Sequence, residues 1–363
     1  MSQILTVNAG SSSVRFALAE VGAGQPPRVL ARTRHGREAG AEELRAFAGA
    51  SAASLSAVAH RVVHGGPRRH ATTTFDEAVA ADVAGAVALA PLHNPATLSW
   101  LQRCREAWPH VPQLAVFDTG FFADLPAVAA TYALPAELAA RWELRRLGFH
   151  GLAHRSLWQI FSGRQPDRAA RVISFQLGSG CSAAALLDGR AIDTSMGFTP
   201  LEGLVMATRC GDVDPGLVVY LQEKEKLSPE QLSRILEERS GLAGVSRTDG
   251  AFPTLLARPD DGARLAIDLF CYRARKYLGA YLAALGGCDA VLLGGGVAEK
   301  SPVVRERMLA GLDRLGLRFD SARNQATGAD GCITAEGSAI QAWVLRTDEE
   351  VVMAEEAAGW LAP

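Results

Sequence analysis

The stretch Ile4-Leu-Thr-Val-Asn-Ala-Gly-Ser-Ser-Ser-Val-Arg-Phe-Ala-Leu18 places a Gly/Ser turn between two apolar runs. The stretch Val172-Ile-Ser-Phe-Gln-Leu-Gly-Ser-Gly-Cys-Ser-Ala-Ala-Ala-Leu186 repeats that plan. An apolar run, a turn of small residues and a second apolar run predict a β-hairpin. The chain therefore predicts the same strand, turn and strand unit twice.

The Gly/Ser turns between these runs suit an anion. Small residues let backbone N–H groups approach a phosphate closely, and serine hydroxyls add further hydrogen-bond donors. Two such turns facing each other across a cleft would hold one polyphosphate from both sides. A Gly/Ser turn is also a common way to connect two strands, so either turn alone is compatible with a purely structural role.

Length and charge favour a two-domain protein that acts on small molecules. A chain of 363 residues exceeds what one core normally supports, and 48% hydrophobic residues provide apolar material for two cores. The formal net charge of -2 and the pI near 6.5 provide no basic field for nucleic acid or an anionic membrane. We therefore expect no nucleic-acid partner and no membrane partner.

The cysteines and the beginning of the chain indicate a cytoplasmic protein. The 6 cysteines are scattered, without a Cys-x-x-Cys pair and without histidines at zinc-ligand spacing. The strand pattern begins by Ile4 without a basic and apolar leader, and no apolar run reaches the length of a membrane span. We expect reduced thiols, no disulfide framework, and a cytoplasmic, soluble chain.

Three further apolar segments end in polar or glycine residues. Residues 56–64 predict a strand that runs into a Gly-Gly turn, and residues 113–118 predict a strand with Asp118 at its carboxyl end. Ligands gather at the carboxyl ends of strands in α/β sheets. The segment 289–296 predicts a short strand that ends in three glycines and leads into a helix through about 311. That turn fits either ligand binding or tight strand-to-helix packing.

Helical periodicity supplies the remaining elements. Helices are predicted around 41–58, 76–90, 96–108, 214–224, 228–239 and 260–284. A domain boundary is expected near 148. The last helix is predicted from about 337 to 359, and the acidic run Asp348-Glu349-Glu350 on it is expected to be a solvated face.

Seven ordered blocks of the sequence carry polar and glycine residues in dense groups. They are Asn8-Ala-Gly-Ser-Ser-Ser13, His60-Arg-Val-Val-His-Gly-Gly66, Pro91-Leu-His-Asn-Pro95, Val116-Phe-Asp-Thr119, Gly148-Phe-His-Gly151, Asp193-Thr-Ser-Met-Gly-Phe-Thr-Pro-Leu-Glu-Gly203 and Thr208-Arg-Cys-Gly-Asp-Val-Asp-Pro215. Together these blocks resemble the acetate kinase family of acetate and propionate kinases, over the length of the chain.

The resemblance implies a fold and a division into domains. The fold is that of the wider sugar-kinase, Hsp70 and actin superfamily: an α/β protein of two duplicated ribonuclease-H-like lobes, with the active site in the cleft between the lobes. Residues 1–148 plus 350–363 are expected to form the N-terminal acyl-side lobe. Residues 149–349 are expected to form the C-terminal lobe for nucleotide binding and dimerisation.

The implied reaction moves the γ-phosphoryl group of ATP onto a short carboxylate, giving an acyl phosphate and ADP, reversibly and with Mg²⁺, or with Mn²⁺ as the alternative ion. Such a transfer needs positioning and cancellation of spread negative charge more than covalent chemistry. Arg61 is expected to hold the substrate carboxylate and Arg209 the phosphoryl group in flight. Guanidinium forks bind such oxygens in pairs and keep their charge near neutral pH.

Two further catalytic positions come from the resemblance. His150 is implied as a hydrogen-bond donor to the transferring phosphoryl group. Asp118 is implied as the active-site aspartate. A carboxylate nucleophile is already ionised at pH 7 and needs no base, so we expect Asp118 to orient Arg61 and Arg209 or a metal-bound water.

The remaining implied positions line the acyl pocket, bind the metal ion or bind the nucleotide. The acyl pocket is Val63, Leu92, Phe149 and Pro200, with His93 beside it; the metal positions are Asn8 and Glu349. The nucleotide positions are Ser12, Arg15, Gln176, Leu177, Gly178, Ser179, Gly180, Asp249, Gly250, Ala251, Gly296, Val297, Ala298, Glu299 and Lys300. One methylene changes binding by only about 1–3 kcal/mol, so this pocket does not separate acetate from propionate.

Departures from the family pattern fall on the nucleotide side. Gln176 stands where the family has a histidine, Ala251 where it has an arginine, and Lys300 where it has an asparagine. Arg15 replaces the usual lysine, which preserves the charge and changes the shape. Because the acyl side is intact, these changes predict altered donor handling: weaker ATP binding, another nucleotide, or pyrophosphate.

Other functions stay open at this point. A pocket enlarged at Val63 or Pro200 would favour butyrate or branched-chain kinase activity. The side chains at these two positions do not indicate an enlarged pocket. A non-catalytic sensor of nucleotide or acyl phosphate is favoured by the changes at Gln176 and Ala251, and opposed by the retained catalytic positions. The resemblance also implies a homodimer through apolar helices of the second lobe.

Overall fold

Strands and helices alternate along the chain as in other α/β proteins. The computed structural model describes residues 2–10, 13–22, 24–36, 38–166, 171–258, 260–328 and 330–362, with the backbone alone for Ala50. The strands are β1 (Ser2–Ala9), β2 (Ser13–Gly22), β3 (Gln25–Gly36), β4 (Leu55–Val62), β5 (Thr73–Thr74), β6 (Gln113–Phe117), β7 (Arg171–Leu177), β8 (Cys181–Leu187), β9 (Arg190–Thr194), β10 (Ala290–Gly294), β11 (Gly331–Cys332) and β12 (Gln341–Val344). The helices are α1 (Ala41–Ala48), α2 (Glu77–Gly85), α3 (Asn94–Ala107), α4 (Ala127–Ala130), α5 (Ala136–Arg141), α6 (Gly151–Arg164), α7 (Pro215–Glu225), α8 (Pro229–Glu238), α9 (Gly241–Ser246), α10 (Phe252–Ala257), α11 (Asp261–Ala284), α12 (Gly296–Lys300), α13 (Pro302–Leu309), α14 (Ser321–Ala326) and α15 (Glu349–Leu361).

The chain divides into two units, each with its own sheet. The first unit comprises Met1–Ala123, Phe149–Ser156 and Asp348–Pro363, and the second comprises Asp124–Gly148 and Leu157–Thr347. The strand order is β3-β2-β1-β4-β6-β5 in the first sheet and β9-β8-β7-β10-β12-β11 in the second. In both sheets three antiparallel strands are followed by two parallel strands and a short antiparallel edge strand. The two predicted hairpins, β1–β2 and β7–β8, are confirmed, and the sheets are duplicates.

The first sheet is covered on both faces. Leu5, Val7 and Ala9 pack with Trp100 of α3 on one face, whereas Ile4 packs with α15 on the other. Side chains alternate between the two faces of a strand, so a strand buried on both faces is continuously apolar rather than alternating. This is why Ile4, Leu5 and Val7 of β1 are apolar on both faces of the strand, before Asn8 adds a polar side chain.

In the second unit the central strands are also fully buried. Every residue of β10 is buried, and β10 lies in parallel between β7 and β12. The 24-residue helix α11 packs against this sheet with Ala266, Phe270 and Ala274 among its buried residues. Burial on both faces explains why the residues of β10 that precede its glycine are all apolar.

The division into units differs from the expected boundary near 148. Residues 124–148 belong to the second unit: Leu147 N donates to Gly197 O at 3.0 Å, and Arg146 Nη2 donates to Glu202 at 2.6 Å. Residues 149–156 belong to the first unit, where Leu152 packs in the core beneath α15. These two segments belong to their units because of contacts with residues distant in the chain, which the local sequence does not reveal.

Two helix predictions at the carboxyl-terminal side require correction. The helix expected from about 337 to 359 begins only at Glu349, because Gln341–Val344 pair with β10 as strand β12. The helix expected through 311 is two helices, separated at Ser301, whose hydroxyl accepts a hydrogen bond from Val304 N and caps α13. The acidic run is not a solvated face either: Glu349 and Glu350 are 5% and 6% exposed.

Candidate functional site

The carboxyl ends of β1, β4 and β6 bring three predicted site residues together in the first unit. Arg61 donates to Asp118 from Nε at 3.1 and 3.2 Å and from Nη2 at 2.6 Å. Its Nη1 donates to Asn8 Oδ1 at 3.1 Å. The three residues are buried, with Asp118 fully so. Arg61 and Asp118 thus form a two-point ion pair.

The first turn of α15 adds two carboxylates to this cluster. Asn8 Nδ2 donates to Glu349 at 2.8 Å and to Glu350 at 3.0 Å, and Arg15 pairs with both carboxylates. Glu349 lies 3.7 Å from Arg61 Nη1. The helix N-terminus also favours negative charge, since its N–H groups are partly positive. Burial of this acidic pair is thus matched by two guanidinium groups and one amide.

The charges of this cluster are held in fixed states. Burial raises the pKa of Glu349, but Arg61 and then Arg15 outweigh it and bring the pKa to about 2. Burial lowers the pKa of Arg61, but Asp118 and then Glu349 outweigh that effect and raise it. For Asp118, burial dominates and raises the pKa, with Arg61 opposing. Arg61 stays cationic and Glu349 stays anionic across the physiological range.

His150 meets the same cluster through its backbone. Its φ of 59° lies in the left-handed region, which is uncommon for residues other than glycine. The His150 backbone hydrogen-bonds the Asp118 carboxylate and lowers its pKa in part, while Gly151 N donates to the Asp118 carbonyl at 3.1 Å. Backbone strain of this kind persists where surrounding contacts over-determine it, often at functional sites. The strand end at Asp118 is what holds His150 in place.

The predicted apolar pocket residues of the first unit have different surroundings. Val63 and Phe149 are buried, at 3% and 0% exposure, and the Phe149 ring packs on His64 with centroids 5.3 Å apart. Leu92 lines a cavity of about 280 Å³ that also includes Ala9, Gly10, Val14 and Trp100. His93 precedes α3 at its N-terminus.

In the second unit the predicted nucleotide turns form one group. The β7–β8 turn is closed by Gly178 N, which donates to Gly180 O at 3.0 Å, and Ser179 O accepts from Ala207 N at 3.0 Å. Leu177 O lies 2.5 Å from where a Cβ on Gly295 would sit, and the φ of Gly295 is +85°. Only glycine permits this approach without strain. The loop before α12 is therefore pressed against the end of β7.

The predicted nucleotide-binding residues of these turns differ in their hydrogen bonding. The Gln176 Oε1 atom is buried without a hydrogen-bond partner in the described part of the chain. Ala251 N donates to Asp249 at 3.0 Å, and Gly250 N donates to Thr248. The helix α12 contains the predicted positions Gly296, Val297, Ala298, Glu299 and Lys300. Ser12 lies outside the described residues, and Arg15 lies in the first unit.

Arg209 lies in the second unit beside Pro200. Its Nη1 donates to the Pro200 carbonyl at 3.2 Å, and its Nε lies 3.3 Å from Glu237 Oε2. Burial lowers the pKa of Arg209, with Glu237 opposing the shift. Two predicted site residues thus meet here through the backbone of Pro200.

Sequence reasoning missed two residues of these clusters. Glu350 was expected to be solvated, although it follows Glu349 directly and shares its partners Asn8 and Arg15. Glu237 belongs to no motif, so no local signal could mark it. Among the residues with described positions, no group of three or more His, Cys, Asp or Glu side chains has the geometry of a metal site. No helix in the described ranges has the length and apolarity needed to cross a membrane.

Duplicated sheets of this strand order, with glycine-rich turns or charged clusters at their strand ends, define the class of ribonuclease-H-like proteins that includes actin and the sugar kinases. The model of the Acetokinase family matches residues 31–355. The chain is 41% identical over 309 residues to an acetate kinase of Dictyoglomus turgidum, covering 83% of this chain and 76% of that protein. An acetate kinase of Solibacter usitatus is 43% identical over 327 residues, with 88% and 78% covered.

Solved structures agree with these sequence matches. The structure of Porphyromonas gingivalis acetate kinase has a TM-score of 0.86 at 31% identity, with 100% of both chains covered. A propionate kinase from Francisella tularensis has a TM-score of 0.86 at 33% identity, covering 98% of this chain and 99% of that one. The chain belongs to the acetokinase family, as the seven sequence blocks indicated.

Proposed function

We propose that the protein is a short-chain carboxylate kinase, which transfers the γ-phosphoryl group of ATP to acetate or propionate. A carboxylate oxygen attacks the γ-phosphorus, the bond to the oxygen that bridges to the β-phosphorus breaks, and ADP leaves with that electron pair. The observation that carries the proposal is the buried cluster of Arg61, Asp118, Asn8 and Glu349 at the end of the first sheet. Membership of the acetokinase family supports the same reaction.

The acid is held on the first unit. Arg61 is locked by Asp118 in one orientation, so its guanidinium presents a permanent charge to an incoming carboxylate. Val63 follows it by two residues, and Leu92 and Phe149 are the other apolar residues of this unit assigned to the acyl chain. His93 donates a hydrogen bond to the carboxylate.

The phosphoryl group and the nucleotide are bound by the remaining positions. Arg209 cancels charge on the phosphoryl oxygens, and the His150 imidazole donates a hydrogen bond to them. The turns at 178–180, 249–251 and 296–300 contact the nucleotide. Their mutual packing in the second unit supports this assignment.

The donor set at the start of α15 fits a Mg²⁺ ion. Glu349 supplies an ionised hard oxygen, and Mg²⁺ keeps several waters and takes phosphate oxygens rather than requiring a full set of protein ligands. When bound, the ion neutralises phosphate charge. Asn8 turns its amide oxygen to Arg61 and its N–H groups to Glu349 and Glu350, so it holds the carboxylates in place. Glu349→Gln should raise the Mg²⁺ concentration needed for half-maximal thermal stabilisation by nucleotide about 10-fold, whereas Glu355→Gln should leave it unchanged.

Formation of acyl hydroxamate from acyl phosphate and hydroxylamine tests the main proposal. The assay should give product with acetate and propionate, and little with butyrate, in the presence of ATP and Mg²⁺. Product with none of these acids and none of the donors ATP, GTP and pyrophosphate would overturn the proposal and favour a sensor.

A second candidate concerns the phosphoryl donor. The Asp249 carboxylate accepts from Ala251 N and from Thr254 Oγ1, so it is engaged within its own turn, and Ala251 offers no cation. Gln176 offers a neutral amide at the end of β7. These observations favour weaker ATP binding or use of another donor. Comparison of kcat/KM for ATP, GTP and pyrophosphate tests this, and an ordinary preference for ATP would remove it.

We further propose a homodimer that covers α7. None of the residues of α7 is buried, although Leu217, Val219 and Tyr220 are 47%, 55% and 55% exposed. A surface helix ordinarily buries one apolar face. Tyr220→Glu should shift sedimentation from dimer to monomer, and Glu225→Gln should not. A monomeric wild type would end this proposal.

A further inference from the structure

We propose that Glu237 is a positioning residue, which fixes the guanidinium of Arg209 so that one edge faces the reacting phosphoryl group. The consequence for the reaction rests on the role proposed for Arg209. The contacts that carry the inference lie within the second unit and do not depend on that role.

The ion pair of Arg209 and Glu237 is buried. The two residues are 7% and 8% exposed, and Arg209 Nε lies 3.3 Å from Glu237 Oε2. Burial of two charges is costly, and a well-packed apolar pair in their place is often as stable or more stable. A gain in stability therefore does not account for this buried ion pair. The need to hold the guanidinium in one orientation does account for it.

The end of α8 that carries Glu237 also grips the backbone of the Arg209 loop. Thr208 Oγ1 donates to the Glu237 carbonyl at 2.8 Å, and Cys210 N donates to Leu236 O at 3.1 Å. Ser240 N in turn donates to Thr208 O at 2.9 Å. The residues on both sides of Arg209 are thus bound to the helix end from which Glu237 reaches the guanidinium.

The contacts leave one side of the guanidinium available. Nε faces Glu237, while Nη1 donates to Pro200 O at 3.2 Å and contacts Met206 Sδ at 3.7 Å. Nη2 has no hydrogen-bond partner among the residues that the structure describes. Three contacts determine the plane of the group, and the donor that remains is the one that can meet an oxygen of the phosphoryl group.

Substitution of Glu237, with its neighbour Glu238 as the control, tests the inference. Glu238 is on the same helix and exposed, so Glu238→Gln should match the wild type. Glu237→Ala should lower kcat about 100-fold, because misplacement of a group by about 1 Å can cost that much. The KM for the acid should change little, since the lost contact acts in the transition state. Glu237→Gln keeps an acceptor oxygen and should recover a large part of kcat.

Two further measurements separate positioning from a merely structural role. In an Arg209→Ala background, Glu237→Ala should cause no further loss of kcat, whereas a structural defect would lower kcat again. A crystal structure of the Glu237→Ala protein, or of Glu237→Leu if the alanine variant does not fold, should show the guanidinium moved away from the Pro200 carbonyl. An unmoved guanidinium, or an additive loss, would overturn the inference.

Failure of the proposed function would give results that differ from failure of the positioning inference. If Arg209→Ala is as active as the wild type, or if the wild type makes no acyl phosphate, the role of Arg209 is wrong. The crystal structure alone then decides the inference: a displaced guanidinium supports positioning by Glu237, and an unmoved one refutes it.

Discussion

The two sheets share one strand order and differ in the residues at equivalent positions. In the first sheet Asn8 pairs with Arg15, and Val7 pairs with His60, the residue before Arg61. In the second sheet Gln176 pairs with Ser182 and with Gly294, and Phe175 pairs with Leu293. Charged residues at the end of the first sheet thus correspond to small, neutral residues at the end of the second.

The same strand order thus carries two kinds of strand end, one built from charged side chains and one built from glycines. The first sheet gathers Arg61 and Arg15 against buried carboxylates, and its geometry depends on charge. The second sheet uses Gly294 and Gly295 to bring backbone segments together, where a Cβ on Gly294 would lie 2.7 Å from Leu157. Topology places the strand ends, and the residue types then decide whether charge or close approach is used.

The largest expected effect is that of Arg61→Gln on the charged sheet end. It leaves Asp118 buried without its counter-charge, so we expect a loss of about 3–5 kcal/mol in the free energy of unfolding. We also expect the rate to fall by about 10²–10³-fold. Thermal unfolding and the hydroxamate assay measure these effects. Arg28→Gln, on an exposed pair with Glu20, is the control. An unchanged melting temperature for Arg61→Gln would contradict this account of the cluster.

A smaller effect is expected from Gly295→Ala at the neutral sheet end. The new methyl group meets Leu177 O and requires a φ near +85°, so the substitution should cost about 3 kcal/mol. It should also raise the KM for the nucleotide and leave the KM for the acid unchanged. Gly296→Ala is a matched control, since a Cβ there meets nothing within 4 Å. Equal stability of the two variants, by denaturant unfolding, would show that close approach is not required.

Acid should destabilise the first sheet through His60, whose counterpart in the second sheet is Leu293. The buried imidazole bonds Gln113, and burial lowers its pKa from 6.5 to about 4. As the pH falls below 6.5 the unfolded chain takes up a proton that the folded chain excludes, so stability is lost down to about pH 4. Between pH 7 and pH 5 the loss should be about 2 kcal/mol.

Denaturant unfolding of wild type and His60→Leu at both pH values measures this loss. The variant should lose less stability on acidification, although it is less stable at pH 7 because Gln113 loses its partner. His154, with a pKa lowered to about 3 by burial, supplies acid sensitivity that the variant retains. The same pH dependence in both proteins would rule out His60 as a source.

The smallest effect is expected at an exposed ion pair of the second unit. Arg164 and Asp330 form two hydrogen bonds, at 2.5 and 2.7 Å, with side chains 40% and 51% exposed. Solvent screens such pairs, so Asp330→Ala should cost at most about 1 kcal/mol. Thermal unfolding in low and high salt measures it. A larger, salt-independent loss would indicate a structural role beyond the ion pair.

Much of the fold could be predicted because its signals are local. The two apolar runs with Gly/Ser turns predicted β1–β2 and β7–β8, and the polar end at Asp118 predicted the carboxyl end of β6. Motif blocks likewise located Arg61, which does lie on Asp118. Signals of this kind depend only on residues close in the chain.

Predictions that needed partners distant in the chain were less successful. The run Asp348-Glu349-Glu350 reads as a solvated face because its partners Asn8, Arg15 and Arg61 are more than 280 positions away. Glu237 has no motif, and its meaning arises only where α8 reaches Arg209. The assignment of residues 124–148 to the second unit likewise follows from contacts such as Arg146 with Glu202.

The sequence by itself determined the duplicated hairpins, the family and the residue types at the strand ends, because apolar periodicity and short motifs are written in neighbouring residues. Only the tertiary structure decided which charges meet. The protonation state of Glu349 and the orientation of Arg209 depend on burial and on groups from distant segments. Electrostatic interactions depend on distance in space and on solvent exposure, and neither is written along the chain.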